Sequence, residues 1–316
     1  MEFWTAPADV PAGFGPSAVT VGKFDGLHAG HRAVIAKLLD VSAERDLVPT
    51  VVTFDRNPLS LLRPDLCPDP LVSNAQKAEL LEEAGVEATL MVTFDDDFRQ
   101  MSAEDFVSKI LVGALHATVL LVGRDFRFGS RGAGDVALLE SLAGEHGYEV
   151  ILIDDVTPDG PRRVSSTWVR ELLAEGDVKG AARLLGGFPS LRATVVHGAH
   201  RGRELGYPTA NLAPEVEGFV PADGVYAAWL TVRDERYPAA VSVGNNPTFD
   251  GVPARQVEAH ALDQDFDIYG EKVTLEFVER IRGMVKYTTV EALVEQIAKD
   301  EEIARGILGI APRVGP

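Results

Sequence analysis

Two histidines bracket a glycine in the segment Val19-Thr20-Val21-Gly22-Lys23-Phe24-Asp25-Gly26-Leu27-His28-Ala29-Gly30-His31. The β-branched run before them and the amphipathic stretch after them put the histidines at a strand-to-helix turn. Gly26 and Gly30 permit a tight turn and a close backbone approach by a ligand. Free N–H groups and the dipole of a helix start already favour phosphate. Two imidazoles add donors that can stabilise charge developing on a polyphosphate during transfer. A bound substrate phosphate can attack directly, so no protein nucleophile is required. Helix capping and zinc binding are the plainer roles for such a pair. Zinc is disfavoured because no cysteine or acidic third ligand adjoins the histidines.

Three further segments carry polar chemistry. In Val122-Gly123-Arg124-Asp125-Phe126-Arg127-Phe128-Gly129, aromatic and cationic residues alternate, a pattern able to pack on a planar ring and meet phosphate. An ordinary hairpin is the competing reading. In Ser165-Ser166-Thr167-Trp168-Val169-Arg170, hydroxyls at a helix start precede an arginine one turn on, which is either a phosphate cradle or only a cap. The third runs from Thr194 to Leu212. Its loop residues Gly198, Arg201 and Gly206 suit phosphates, and Thr209 and Asn211 offer hard oxygen ligands suited to Mg²⁺. A surface turn is the plain alternative there. Neither G-x-x-x-x-G-K-[ST] nor a strand–helix G-x-G-x-x-G occurs, so a P-loop and a nicotinamide fingerprint are both excluded.

These residues need elements to hold them. Strand patterns at 17–21, 48–54, 88–92, 118–122 and 149–153 alternate with helical patterns at 31–45, 74–83, 103–115 and 134–146. Such alternation implies a parallel sheet with helices on both faces, which binds ligands at the carboxyl ends of its strands. A helical pair follows at 166–173 and 178–185, and the break Leu185-Gly186-Gly187-Phe188-Pro189 sets a domain boundary, giving 1–186 and 187–316. Beyond it, strand patterns at 192–197, 224–232, 239–243, 256–261 and 273–280 run without a helix until 290–308. That texture implies a small antiparallel β-barrel with a C-terminal helix.

Composition narrows the class. The 316 residues are 46% hydrophobic and 25% charged, a balance of globular domains, and they suffice for two of them. A formal net charge of -18 argues against nucleic acid or an anionic membrane as partner, so anionic substrates need local arginines, helix starts and a divalent cation. The single cysteine, Cys67, allows no intramolecular disulfide and points to a reducing, cytoplasmic setting. The N-terminus lacks the basic and apolar regions of a signal peptide, and the longest apolar run is too short to span a bilayer.

In full, Gly-x-Phe-Asp-Gly-x-His-x-Gly-His, from Gly22 and Phe24 to His31, resembles the start motif of the bacterial bifunctional riboflavin kinase/FAD synthetase family. The segments around Phe126, Ser165 and Thr209 are similar to later segments of that family, in the same order. Val257-Glu258-Ala259-His260-Ala261-Leu262-Asp263 is similar to the one carrying its catalytic base. The resemblance implies a Rossmann-like α/β nucleotidyltransferase module followed by a riboflavin kinase barrel. The substrates would be riboflavin, FMN and ATP, with Mg²⁺ as cofactor and FMN and FAD as products. His28 and His31 would hold ATP phosphates, with Gly22, Phe24, Gly30, Ser165, Thr167 and Arg170 around them. Asn57, Asp125, Phe126, Arg127, Phe128 and Arg282 would contact flavin. Glu258 would be the kinase base, although a chain with 48 acidic residues offers many carboxylates that merely face solvent. Asn57 stands where the family commonly has histidine, and Gly187-Phe188-Pro189 replaces its usual Arg-Pro-aromatic junction. Two rivals stay open, a chain with one working module and a non-catalytic flavin-binding regulator.

Overall fold

The computed structural model describes residues 1–157, 162–197, 206–244 and 255–311. The chain divides into two compact units, Met1–Ser165 and Ser166–Pro316.

The first unit is built on six strands: β1 (Glu2–Trp4), β2 (Ser17–Val21), β3 (Val48–Phe54), β4 (Ala88–Val92), β5 (Ala117–Gly123) and β6 (Glu149–Ile153). All pair in parallel in the order β1-β4-β3-β2-β5-β6. The chain builds outward from β2 to one side and then from β5 to the other. The β2–β5 crevice is therefore the point at which strand order reverses, where sheets of this kind bind ligands. Strand alternation supplies two cores. Val19 and Leu120 face a cluster with Phe106, Ile110, Leu111 and Leu139, while Ala18 and Leu121 face Ile35, Leu38, Val41 and Leu81.

Helix α1 (Ala29–Arg45) follows β2, and α2 (Leu59–Leu62) and α3 (Asn74–Glu83) follow β3. A capping box closes the start of α3. Ser73 accepts from the Gln76 amide at 3.2 Å, and Gln76 accepts from the Ser73 amide at 2.9 Å. After β4 come α4 (Asp96–Gln100) and α5 (Ala103–Asp105), the latter continuing as π-type turns over Phe106–Ala114. The helix expected at 103–115 is thus only briefly α. Helix α6 (Val136–His146) starts later than its pattern because Asp135 caps it, accepting from the Leu138 amide at 3.0 Å. Strand β1 was not expected; with three residues and only Trp4 buried, it carries no period to read.

In the second unit, α7 (Ser166–Glu175) and α8 (Val178–Leu185) precede the strands. The pair is fastened to the strands by Arg280, whose Nη1 donates to the Glu175 carbonyl at 3.1 Å, and by the Lys179–Glu279 ion pair at 2.8 Å. Strands β7 (Ser190–Val196), β8 (Ala210–Leu212), β9 (Gly224–Val232), β10 (Glu235–Gly244), β11 (Gln256–Ala261) and β12 (Lys272–Arg282) close an antiparallel barrel in the order β10-β11-β8-β7-β12-β9. Tyr226 and Phe277 meet edge to face inside it at 5.3 Å. Helix α9 (Val290–Leu308), capped by Thr289 and ended by Gly309 at φ 67°, packs on β9, β10 and β12.

Candidate active sites

The turn after β2 is tightly wound. Phe24, Gly26 and Leu27 have φ of 47°, 82° and 42°, and Phe24 and Leu27 are fully buried. Positive φ at two non-glycine residues is strain that the packing beneath them must hold. The turn delivers His28 to the N-cap position of α1, where its side chain makes no capping hydrogen bond. Capping, one of the plainer roles, is therefore set aside. The His28 ring instead stacks on His31 at 3.8 Å and 16°. Gly30 makes room for this, since a Cβ there would stand 3.2 Å from the His28 ring and 3.6 Å from the Val164 carbonyl. The Ser165 segment thus comes up against the same turn. Phe24, expected at the nucleotide, is buried beneath His31 at 5.1 Å and braces its ring. Gly22 ends β2, its amide donating to the Val52 carbonyl at 3.0 Å.

His31 is half-buried as a residue, but its Nδ1 is enclosed and has no hydrogen-bond partner among the described residues. Burial holds its pKa well below the ordinary 6.5, and His28, Lys77 and Lys23 add to the effect. Burial therefore favours the neutral form of this imidazole. Negative charge brought beside the ring would favour its protonated form.

Lys77, not foreseen, is the buried cation of this region. Its Nζ donates to the Phe54 carbonyl at 2.9 Å, at the end of β3. Burial lowers its pKa, and the carboxylates of Asp25 and Asp55 oppose that shift. Those carboxylates also fix loops, with Asp25 accepting from the Leu71 amide at 2.8 Å and Asp55 from the Phe94 amide at 2.9 Å. The signal in the sequence was a lysine four residues before Leu81, on the buried stripe of α3.

Apart from Arg282, the residues expected at flavin are spread along the carboxyl edge of the sheet. Phe126 and Phe128 stack at 5.3 Å after β5. Phe128 is core, packed on Phe106 at 5.8 Å, whereas Phe126 is half-buried. Asp125 pairs with Arg163 at 2.7 Å and Arg127 with Asp135 at 3.1 Å. The hydrogen bond from Arg163 pulls the Asp125 pKa down. Phe54, Phe94 and Phe98 extend the array with mutual distances of 5.6–5.8 Å, and sequence reasoning missed them. Asn57 accepts from the Leu59 amide at 3.1 Å and so initiates α2. Thr167 and Arg170 lie three apart on α7, on one side of that helix.

In the barrel, Asn211 of β8 and Glu258 of β11 are directly opposed in register, as are Ala210 and Ala259. Opposed residues project to one face of a sheet, so the carboxylate and the amide share a surface. Thr209, two residues before Asn211, also lines with it a cavity of about 40 Å³ together with Phe266 and Tyr269. Tyr269 lies against His197 at 3.9 Å with the rings tilted by 32°. Gly206, at φ 83°, opens this segment, while Gly198 and Arg201 lie outside the described residues. Among the described residues no cluster of three His, Cys, Asp or Glu could cage a metal. A hydroxyl and an amide oxygen nevertheless fit Mg²⁺, which takes few protein ligands and shares substrate phosphates and water. Arg282, expected at flavin, is engaged by α9. Its Nε and Nη2 donate to buried Asp300 at 3.0 Å and 2.7 Å, and Nη1 to the Gly283 carbonyl at 3.0 Å.

A parallel sheet with an anion-suited turn at its switch point, followed by a barrel pairing a carboxylate with hard oxygen donors, defines a two-module nucleotide-dependent transferase. Comparison with known proteins makes this specific. Residues 12–168 match the FAD synthetase family and residues 185–308 the riboflavin kinase family. The chain is 36% identical over 293 residues to the bifunctional riboflavin kinase/FMN adenylyltransferase of Escherichia coli strain K12, covering 92% of this chain and 93% of that one. It is 34% identical over 290 residues to its namesake from Listeria monocytogenes, covering 91% of each. A crystal structure described as a macrolide-efflux protein from Streptococcus pneumoniae superposes with a TM-score of 0.85 at 34% identity, over 96% of this chain and 98% of that one. Among the described residues here, no helix is long and apolar enough to cross a membrane. The chain belongs to the bifunctional riboflavin kinase/FMN adenylyltransferase family.

Proposed function

We propose that this chain makes FAD from riboflavin in two successive transfers, each in its own module and each using ATP. The observation that carries the reading is the match of both enzyme families, end to end, along one chain. We assign residues 1–186 to adenylyl transfer and 187–316 to riboflavin phosphorylation. Helices α7 and α8 fall in the first of these spans and pack with the barrel strands of the second compact unit.

In the barrel, Glu258 accepts the proton of the ribityl hydroxyl as its oxygen attacks the terminal phosphorus of ATP and ADP departs. Thr209 and Asn211 would hold Mg²⁺, which supplies charge neutralisation on the phosphates. Gly206, in the preceding segment, would line the phosphates.

In the sheet module, a phosphate oxygen of FMN attacks the α-phosphorus of a second ATP and pyrophosphate leaves. His28, His31 and the first-turn amides of α1 stabilise the phosphates as charge shifts onto the leaving group. Ser165, Thr167 and Arg170 supply further donors to those phosphates. The aromatic edge around Phe126, with Asp125, Arg127 and Asn57, receives the flavin ring.

One observation favours a second reading, a chain that mainly makes FMN. Asn57 cannot carry the charge of the histidine that the family commonly has, and its carbonyl oxygen is already engaged by Leu59. Chromatographic resolution of products, starting once from riboflavin and once from FMN with MgATP, separates the readings. FAD from both starting points supports the bifunctional enzyme, FMN alone supports the second reading, and neither product would overturn both.

A further inference from the structure

We propose that His260 and Glu301 are positioning residues for the kinase site, linking α9 to the segment that carries Thr209 and Asn211. The inference rests on the reading of that segment as the metal and phosphate site.

The main-chain ladder between β8 and β11 is short. It pairs Asn211 with Glu258 and Ala210 with Ala259 and ends there. Thr209 would pair next, opposite His260, but it lies outside the strand. Pro208 before it has no N–H, so its carbonyl is the only main-chain group it can offer. His260 holds that carbonyl with its side chain, Nδ1 lying 2.7 Å from the Pro208 oxygen. Thr209 is thus fixed from both sides, by the last rung of the ladder and by the imidazole. Tyr207 packs edge-on against the same ring at 5.6 Å and 74°.

The ring is held in turn by the C-terminal helix. His260 Nε2 lies 2.8 Å from Glu301 Oε1, and both residues are buried, at 9% and 4% exposure. A carbonyl only accepts, so Nδ1 must donate to Pro208, and Glu301 orients the ring that does so. Buried Asp300 and Arg305 anchor α9 on either side of Glu301. Asp300 engages Arg282 of β12, and Arg305 donates to Asp263 at 2.6 Å, beyond the end of β11. Charged residues on the inner side of a helix are costly unless each has a partner, and all three have one. The register of α9 therefore reaches the Thr209 backbone through one side chain.

Substitutions separate positioning from bulk packing. In His260→Phe the ring volume stays and the donor is lost. In Glu301→Ala the orienting partner is lost. In Glu301→Gln the link survives, because the amide can donate to Nε2 of a neutral ring that keeps its proton on Nδ1. MgADP binding to the full-length protein is measured by calorimetry, and hydrogen exchange is followed at residues 206–212. Loss of such orienting partners weakens binding about ten- to a hundredfold. That loss is expected in His260→Phe and Glu301→Ala, with faster exchange at 206–212, a KM for MgATP raised more than kcat is lowered, and FMN adenylylation unchanged. Glu301→Gln is expected near the parent protein. Should His260→Phe fail to fold, the Glu301→Ala and Glu301→Gln pair carries the test. Parental exchange and binding in Glu301→Ala, or equal losses in Ala and Gln, would overturn the inference alone. Parental MgADP binding in Asn211→Ala would instead overturn the underlying assignment of the metal segment.

Discussion

Asn211 and Glu258 stand on the same rung of the barrel, one on β8 and the other on β11. The pairing turns two separate sequence signals into one surface, with a hard oxygen donor beside a carboxylate able to take a proton. Glu258→Ala is therefore expected to cut FMN formation by about a hundred- to ten-thousandfold, the usual worth of a general base. The same variant should adenylylate added FMN at the parental rate. Steady-state rates from riboflavin and from FMN check both halves.

The His28–His31 stack depends on the missing side chain at Gly30. Gly30→Ala puts a Cβ 3.2 Å from the His28 ring, which must then shift by a few tenths of an ångström against His31. Alanine is otherwise the better helix residue, by about 1 kcal/mol. FAD formation is expected to fall about tenfold or more while thermal stability holds or rises. A parallel loss of stability and activity would contradict the steric account.

His31 makes the sheet module sensitive to acid. Its native pKa lies well below 6.5, whereas the unfolded chain takes up that proton near 6.5. The stability gained by keeping it neutral is complete above about pH 6.5 and is lost as pH falls from there toward the lowered native value. Thermal unfolding from about pH 7 to about pH 5.5 should show a steeper decline in the parent protein than in His31→Phe. Polyphosphate favours the protonated ring, so ATP binding should be accompanied by proton uptake. Calorimetry in buffers of differing ionisation enthalpy detects it, and no uptake near pH 6.5 would contradict the placement of phosphate at His31.

Lys77 ties α3 to the end of β3 and faces Asp25 and Asp55. Lys77→Met keeps volume but leaves the Phe54 carbonyl without its donor and removes a positive charge that acts on Asp25 and Asp55. A loss of about 1–3 kcal/mol in stability is expected, together with weaker FAD formation and intact FMN formation. Denaturant unfolding and product analysis measure the two effects.

Much of this architecture was legible because both modules use strong local signals. Strands β2, β3, β4, β6, β9 and β11 and helices α3, α8 and α9 have the bounds that period and punctuation mark out. Three-residue strands β1 and β8 carry too few alternations to be seen, yet β8 holds the Asn211 rung. The histidine turn was readable because glycine spacing and residue type coincide. Lys77, and the engagement of Arg282 by Asp300, were hidden because burial and ion pairing arise between elements distant in sequence. The Phe54, Phe94 and Phe98 array was hidden too, each ring looking like ordinary core on its own strand, loop or helix.

The central claim is that two separate sites act in series, one holding Glu258 and the other His31. The most direct test gives riboflavin and MgATP to Glu258→Ala and His31→Ala, separately and mixed. Glu258→Ala alone should make neither flavin nucleotide from riboflavin but convert added FMN to FAD. His31→Ala alone should accumulate FMN, and the mixture should restore FAD through FMN passing between the two proteins. FMN formation lost in His31→Ala, or FAD formation from FMN lost in Glu258→Ala, would contradict the division of chemistry between the modules.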